Sequence, residues 1–573
     1  MSKPDLGRRM ERTVGSALWA AWADALGFIS ELTSDAGLRQ RLRGRPLIEP
    51  LEWTRRVGGK FGADMVLPAG CYSDDTQLRL ATSRSVHGRG FDVEAFARIE
   101  LPIWPSYALG GGRACKAASA NLVKPTTPWF GNFFDGWLDA GGNGVAMRIQ
   151  PHVWAAPQPA ILGQHVLDMI VNGVISHGHP RALVGAVLHG LSLGATLNDG
   201  YVPSPERWPE LLESTQQAVK LVDENQQLAS LWRPAWEYQT GIAFVDAWQR
   251  TVDECRKMLP DARQAVIELS GLEGCLSDTA DAAYDKLVVS LGLRDQSTRG
   301  SGVATVITAL ALAAAAPADP VGVSQLAART VGTDTDTIAT MTAALIGASD
   351  TAPRPPLVLD APYLTAEASR LAMIAGGKAT QPFSYPDLLH WSPPHTQVDA
   401  VGIAGGQPAL AGLGWLRPVE GRESVEMRGT LWIWTQSDFG PSFLVKQRTT
   451  LRELPESNWP VRRERTVSPR VRHAGQDKVS AQPEMPYETR GMDATIVRPA
   501  ESTAQSGSAR NASGPPTENE PVNIDDMLTW VARRGYDETA IGYAIRRISE
   551  IGTIEQLVAF TTTLRARMGR LVP

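Results

Sequence analysis

The sequence predicts a mainly all-α protein with a many-helix body over residues 1–380. A small β-rich unit over 381–460, a disordered linker over 461–520 and a small helical bundle over 521–573 follow it. Three observations predict this. Apolar residues recur three and four apart over long stretches of the first 380 residues. Short β-type runs replace them over the next 80 or so. An aromatic-poor stretch, with Tyr487 and no Trp, then separates both from a last amphipathic segment; sixteen of the seventeen Trp precede it.

In the first part, Thr13–Leu32, Gln77–Val86, Ala182–Leu197, Pro209–Leu228 and Val303–Ala315 read as helices. Several are apolar almost all round, which places them inside a large helical body. Glycine-rich punctuation at 88–90, 110–112 and 140–144 separates them. In the second part, Leu431–Trp434 and Ser442–Val445 read as strands, and Ala409–Val419 as a similar run. The third part is rich in Arg, Ser, Pro, Thr and Gly and buries too little apolar area to offset the entropy of ordering. In the fourth, Ile524, Met527, Leu528 and Val531 share a helix face, Asp537 caps a second helix, and Thr553 with Gln556 forms a capping box for a third. So small a bundle is marginal alone, and a protein partner through 521–573 is the expected use.

Composition excludes several functions. Hydrophobic residues make up 43% and charged residues 20% of the 573, an ordinary globular balance. A net charge of −5 gives no global field for nucleic acid or an anionic membrane. Cys71, Cys115, Cys255 and Cys275 are scattered with no CxxC pair, which excludes a disulfide scaffold and a zinc ribbon and suits a reducing cytoplasm. The longest apolar run, Val303–Ala316, is shorter than the ~20 residues that span a bilayer, so no membrane role is expected.

Two clusters carry chemistry. Tyr72-Ser73-Asp74-Asp75-Thr76-Gln77 places two adjacent carboxylates and flanking hydroxyls just before an apolar helix. Adjacent aspartates repel unless a positive charge sits between them, and a hard divalent cation supplies it through oxygen ligands. Alone, the motif also suits an ordinary solvated helix N-terminus. Gly332-Thr333-Asp334-Thr335-Asp336-Thr337 repeats the arrangement before a second apolar helix. Brought together, the two clusters offer four carboxylates and several hydroxyls, a set suited to two Mg²⁺ or Mn²⁺ ions.

With three further segments in order, these motifs resemble the ADP-ribosylglycohydrolases, the family that includes dinitrogenase-reductase-activating glycohydrolase and ADP-ribosylarginine hydrolase. The opening helix from Gly15, with Ala23-Asp24-Ala25-Leu26-Gly27 and Glu31, is similar to one usually written GDALG with a following Glu. Gly142-Asn143-Gly144-Val145-Ala146-Met147-Arg148 is similar to the family's GNGxAMR loop, and Ser176-His177-Gly178-His179-Pro180 to its THxxP segment. The resemblance runs from about 12 to 350 and implies the family's orthogonal many-helix fold.

It also implies roles. Ser73, Asp74 and Asp75 match one trio of metal ligands and Asp334, Asp336 and Thr337 the other, holding two Mg²⁺ or Mn²⁺. Asp74, Asp75 and Asp336 thereby become catalytic, with Glu31 matching a glutamate that gates the site or moves protons. Gly142, Asn143, Gly144 and Met147 match a loop around ADP-ribose, and His177 a histidine on its ribose side. The implied activity is hydrolysis at the anomeric carbon of the distal ribose of an ADP-ribosylated side chain, base or small compound. The alternative is a non-catalytic ADP-ribose-binding protein that recruits partners through its C-terminal region. Glycines in the GNG loop are expected to let backbone N–H groups approach a phosphate. Arg148 reads first as a structural ion pair and second as a phosphate ligand. The aromatics from Trp104 to Trp137 read as core rather than as an adenine platform. Departures are Ser73 for the usual Thr, and Ala23 and Thr333 for usual glycines; the last two narrow the room for backbone.

Overall fold

The computed structural model describes residues 3–270, 277–354, 358–462 and 523–568. Apolar periodicity becomes helix where it was expected, with shifted ends. The first helix, α1 (Lys3–Phe28), begins ten residues before the expected Thr13 and stops before Leu32. The first of the two acidic clusters opens α2 (Asp74–Arg84), whose Ser73 cap accepts the Asp75 N–H. Further helices are α3 (Pro180–Asp199), α4 (Gly302–Ala315), α5 (Thr335–Gly347) and α6 (Ala361–Ala375). The run expected as one helix over Pro209–Leu228 is instead an α-helix to Gln217 followed by a 3₁₀ segment, Ala218–Glu224.

Almost every residue of α4 and α5 is buried, so they run through the centre of the body. Helix α1 lies directly on α5. A Cβ at Gly15 would stand 2.4 Å from the Gly347 carbonyl oxygen, and one at Gly27 2.5 Å from Asp336 Cα. These two glycines are there because backbone meets backbone. The approach puts the end of α1 against the start of α5.

A short hairpin follows α1: β1 (Trp53–Val57) pairs antiparallel with β2 (Ala63–Leu67). The β-rich region forms six strands: β3 (Val401–Ala404), β4 (Gln407–Leu410), β5 (Gly414–Pro418), β6 (Val425–Met427), β7 (Thr430–Ser437) and β8 (Ser442–Arg448). The run expected over Ala409–Val419 is broken into β4 and β5 by a turn whose Gly412 takes φ +71°. The order is β8-β7-β5-β4-β3, with β6 on β7, all antiparallel. Trp432, Trp434, Phe443, Leu444 and Val445 are buried, in the same apolar cluster as the helical body. The strands and helices up to Ser468 accordingly make one unit.

The stretch read as linker lies outside the described residues apart from 461 and 462. The last unit contains α7 (Ile524–Arg533), α8 (Glu538–Ile551) and α9 (Ile554–Met568) around Met527, Leu528, Val531, Ala544, Ile548 and Phe560. Asp537 caps α8 through the Thr539 and Ala540 N–H groups, and Thr553 and Gln556 cap each other reciprocally at 3.0 and 3.3 Å. Among the described residues no helix is long and apolar enough to cross a membrane.

Candidate active site

The two acidic clusters meet. Thr337 Oγ1 donates to Asp75 Oδ1 at 3.3 Å, although 262 positions separate them. The contact follows from the fold: α5 presents Asp334, Asp336 and Thr337 at its N-terminus, and α2 presents Ser73, Asp74 and Asp75 at its own. Thr335 Oγ1 donates to the Gly27 carbonyl at 2.9 Å and so fixes the start of α5 to the end of α1. Gly110, at φ +126°, lies against Asp74, where a Cβ would stand 2.3 Å from Oδ1.

Asp24 organises the first cluster. This fully buried α1 residue accepts the Ser73 N–H and the Thr76 N–H, each at 2.9 Å, and the Thr76 hydroxyl at 2.5 Å. Behind it Arg79 donates to Thr76 Oγ1 and Thr340 Oγ1. Asp24 takes the free N–H groups that begin α2, which leaves Asp74 and Asp75 to face elsewhere. Asp75 Oδ2 is buried with no hydrogen-bond partner.

A cavity of about 690 Å³ opens over this acidic floor. Glu31, Asp74, Asp75, Gly142, Asn143, Gly144, Met147, His177, Asp334, Asp336 and Thr337 all line it. Ser73 does not; its hydroxyl is occupied in capping α2. The GNG loop differs in detail from expectation. Gly142 pairs with Ser301, and the Asn143 N–H donates to the Gly300 carbonyl at 2.9 Å, so that N–H is not offered to a phosphate. Asn143 Nδ2 instead donates to Asp334 Oδ2 at 3.0 Å. Gly144 is small because the His177 ring and Cys115 Sγ would stand 3.1–3.2 Å from a Cβ there. Arg148 is neither in an ion pair nor on the cavity wall. It is fully buried and donates to Asn172, the Gly144 carbonyl, Ser176 Oγ and Cys115 Sγ, tying the loop to its neighbours.

A family model described as ADP-ribosylglycohydrolase matches residues 5–352, more than half of the chain. The chain belongs to the ADP-ribosylglycohydrolase family. A solved structure described as "ADP-ribosylglycohydrolase-related protein complex" is 18% identical, covering 64% of this chain and 99% of its own, with a TM-score of 0.37. Membership makes this a glycohydrolase of the class that removes ADP-ribose by hydrolysis.

In this ADP-ribosylglycohydrolase the cavity floor is strongly acidic. Burial, reinforced by Glu31, Asp24 and Asp334, pushes the Asp74 carboxyl up to about 8. Burial and neighbouring carboxylates push Asp75 and Asp336 well above the usual range. Glu31 is also raised by burial, against the opposing pull of Arg55. Arg55 Nη1 and Nη2 both donate to Glu31 Oε2, at 3.0 and 3.1 Å, from β1. His177 is held neutral by burial, its pKa lowered to about 3, with Nδ1 2.9 Å from Ser176 Oγ. Among the described residues no three His, Cys, Asp or Glu side chains form a ready-made metal cage. The donor chemistry nevertheless fits a hard divalent cation: clustered carboxylate oxygens, the Thr337 hydroxyl and the unpartnered Asp75 Oδ2.

Sequence reasoning missed three contributors. Asp24 had a signal, being the lone acid in the apolar run Ala17–Leu26. Arg55 and the Gln296–Ser301 loop, which pairs with the GNG loop and lines the cavity beside it, had none, since their relevance comes from tertiary placement. The aromatics from Trp104 to Trp137 are largely core as expected; Phe134 alone among them lines the cavity.

Proposed function

We propose that the protein is a metal-dependent hydrolase that frees ADP-ribose from an ADP-ribosylated side chain, nucleic-acid base or small compound. Ser73, Asp74 and Asp75 on one side and Asp334, Asp336 and Thr337 on the other would hold two Mg²⁺ or Mn²⁺ ions, with Ser73 acting chiefly through its cap on α2. Bound there, such ions supply positive charge that orients ribose hydroxyls and lowers the pKa of a nearby water. The observation that carries this reading is the Thr337–Asp75 contact, which joins the two clusters at one cavity floor.

The chain's own groups do the rest. The GNG loop, Met147 and His177 form the wall that takes the ADP-ribose. His177, neutral across the physiological range, offers a hydrogen bond without adding charge. Positive charge grows at the anomeric carbon as the bond to the acceptor loosens, and the fixed carboxylates favour that oxocarbenium-like state. Glu31, with Oε2 restrained by Arg55 and its pKa raised, is placed to hold or release a proton beside the reacting bond. Cys71, Cys115 and Cys255 are free thiols, in keeping with a cytoplasmic setting.

The test is a panel of ADP-ribosylated substrates assayed with Mg²⁺ and with Mn²⁺. Release of ADP-ribose is expected from at least one, and Asp74→Ala or Asp336→Ala should abolish it. Unchanged turnover in both variants would refute the assigned roles.

A further inference from the structure

The six strands and α6 lie beyond the family match, which ends at residue 352. One residue there touches both the strands and the acidic site's approach. Asp360, just before α6, takes φ +58° without being glycine. L-residues adopt that conformation only where surrounding contacts hold it. Its largely buried carboxylate is shared in two directions. Oδ2 accepts the Tyr72 hydroxyl and the Ser442 N–H, each at 2.9 Å, and Oδ1 accepts the Ser442 hydroxyl at 2.9 Å. Ser442 begins β8, and Tyr72, itself buried, immediately precedes Ser73-Asp74-Asp75. The backbone repeats the link, since the Leu359 N–H donates to the Gly70 carbonyl at 3.4 Å.

A second, independent link reaches the other side of the same turn. Phe443 of β8 packs on Tyr107, ring centroids 4.5 Å apart. The Tyr107 carbonyl accepts Gln77 Nε2 at 3.1 Å, and Gln77 Oε1 in turn accepts the Leu109 N–H at 3.1 Å. Leu109 leads into Gly110, the residue pressed against Asp74. Strand β8 thus grips the Ser73–Gln77 segment at both ends.

We infer that Asp360 is a positioning residue, clamping the Tyr72–Asp75 turn to β8 so that the appended strands set the geometry of the acidic site. The strands are then part of the active-site machinery and not a separable recruitment module. This rests on the proposed metal-binding role of Asp74 and Asp75.

The test uses the full-length protein, with Mn²⁺ binding followed by calorimetric titration and ADP-ribose release measured across Mn²⁺ concentrations. Asp360→Gly keeps the left-handed turn and removes the carboxylate. Asp360→Asn also tolerates the turn and keeps one acceptor. The Mn²⁺ dissociation constant should rise about tenfold in Asp360→Gly, the scale of losing hydrogen bonds to one charged group. Asp360→Asn should recover part of that loss. Release should return toward the unmutated rate at saturating Mn²⁺, a split that a purely structural role would not produce. Unaltered Mn²⁺ affinity in Asp360→Gly overturns the inference. Should that variant not fold, Tyr72→Phe decides: weakened Mn²⁺ binding supports the clamp and unaltered binding overturns it. Unmutated protein that binds no Mn²⁺ overturns the metal reading and this inference together; unmutated protein that binds, beside variants that bind equally well, overturns this inference alone.

Discussion

Between pH 6.5 and 8 the metal-free protein should lose stability relative to Asp74→Asn as pH rises. The folded Asp74 carboxyl titrates at about 8, against an ordinary value of 3.8, because it is buried among other carboxylates. A raised carboxyl pKa means the folded state holds a proton that the unfolded state has released. Its contribution is complete below about pH 4 and is lost as pH climbs through 8. Each pH unit removes about 1.4 kcal/mol per proton, or about 2 kcal/mol across this window. Asp75 and Asp336 are shifted in the same direction and add to the loss. His152, His177 and His189, lowered by burial to about 3, and His165, lowered to about 4, add stability of the opposite sign. That gain is only half complete at their unfolded value of 6.5 and runs on about one pH unit above it. The Asp74 effect is therefore read as the difference from Asp74→Asn, in which the histidines cancel. At about 2.1 cal/mol/K of unfolding entropy per residue, the unit ending at Ser468 should lose about 2 °C of melting temperature relative to Asp74→Asn over this window. The assay is thermal unfolding in EDTA at half-unit pH steps. Asp74→Asn should flatten the slope by about one proton. Excess Mn²⁺ should reverse it, because ligand deprotonation raises metal affinity about tenfold per pH unit for each proton displaced. A metal-free melting temperature whose course from pH 6.5 to 8 is identical in Asp74→Asn would refute the reasoning.

Three further outcomes are expected. Gly27→Ala should abolish ADP-ribose release and lower the melting temperature, since its Cβ would overlap Asp336 Cα and overpacking of this kind costs about 1–3 kcal/mol or more; Gly27→Ala with full activity contradicts the close helix contact. Arg84 and Glu100 form a fully buried pair at 2.7 Å, so Glu100→Gln should destabilise by roughly 3–5 kcal/mol in urea unfolding, and Arg84→Met combined with Glu100→Leu by less than the sum of the singles. Deleting 521–573 should leave turnover on a small substrate intact and change only partners or assembly, because the last three helices have a core of their own; loss of turnover counts against this.

The helical body and its two acidic clusters were legible because both kinds of signal are local. Apolar residues at helical spacing mark the helices, and Asp or Ser at a helix start marks the clusters. Convergence itself was legible only through the order of motifs. The roles within the site depended on partners that sequence cannot name. The Asn143 N–H goes to Gly300 and not outward, and Arg148 binds carbonyls and amides in place of a carboxylate. The short apolar run Leu431–Trp434 announces a strand, but not that Trp434 Nε1 will donate to the Val66 carbonyl of the hairpin carrying Arg55. Such contacts join the strands to the helical core.

The distribution of positive charge argues for which acids await a cation. Six carboxylates stand in or behind the cavity floor, and they are not treated alike. Asp24 is spent on the N–H groups and hydroxyl that open α2, with Arg79 behind it. Glu31 is paired to Arg55, whose guanidinium also lies 4.3 Å over the Phe28 ring and is thereby fixed in place. Among the described residues no Lys or Arg forms an ion pair with Asp74, Asp75, Asp334 or Asp336. Four buried or half-buried carboxylates facing one cavity without a fixed cation are unfavourable for folding on their own. The chain pairs an arginine directly with Glu31 alone of the six, keeps Arg79 behind Asp24 and Asp75 on the Thr76 and Thr340 hydroxyls, and leaves the four proposed metal ligands without an ion pair. An arginine among those four would relieve the repulsion and close the site, so the strain of the metal-free floor and the capacity to bind a divalent ion have the same origin.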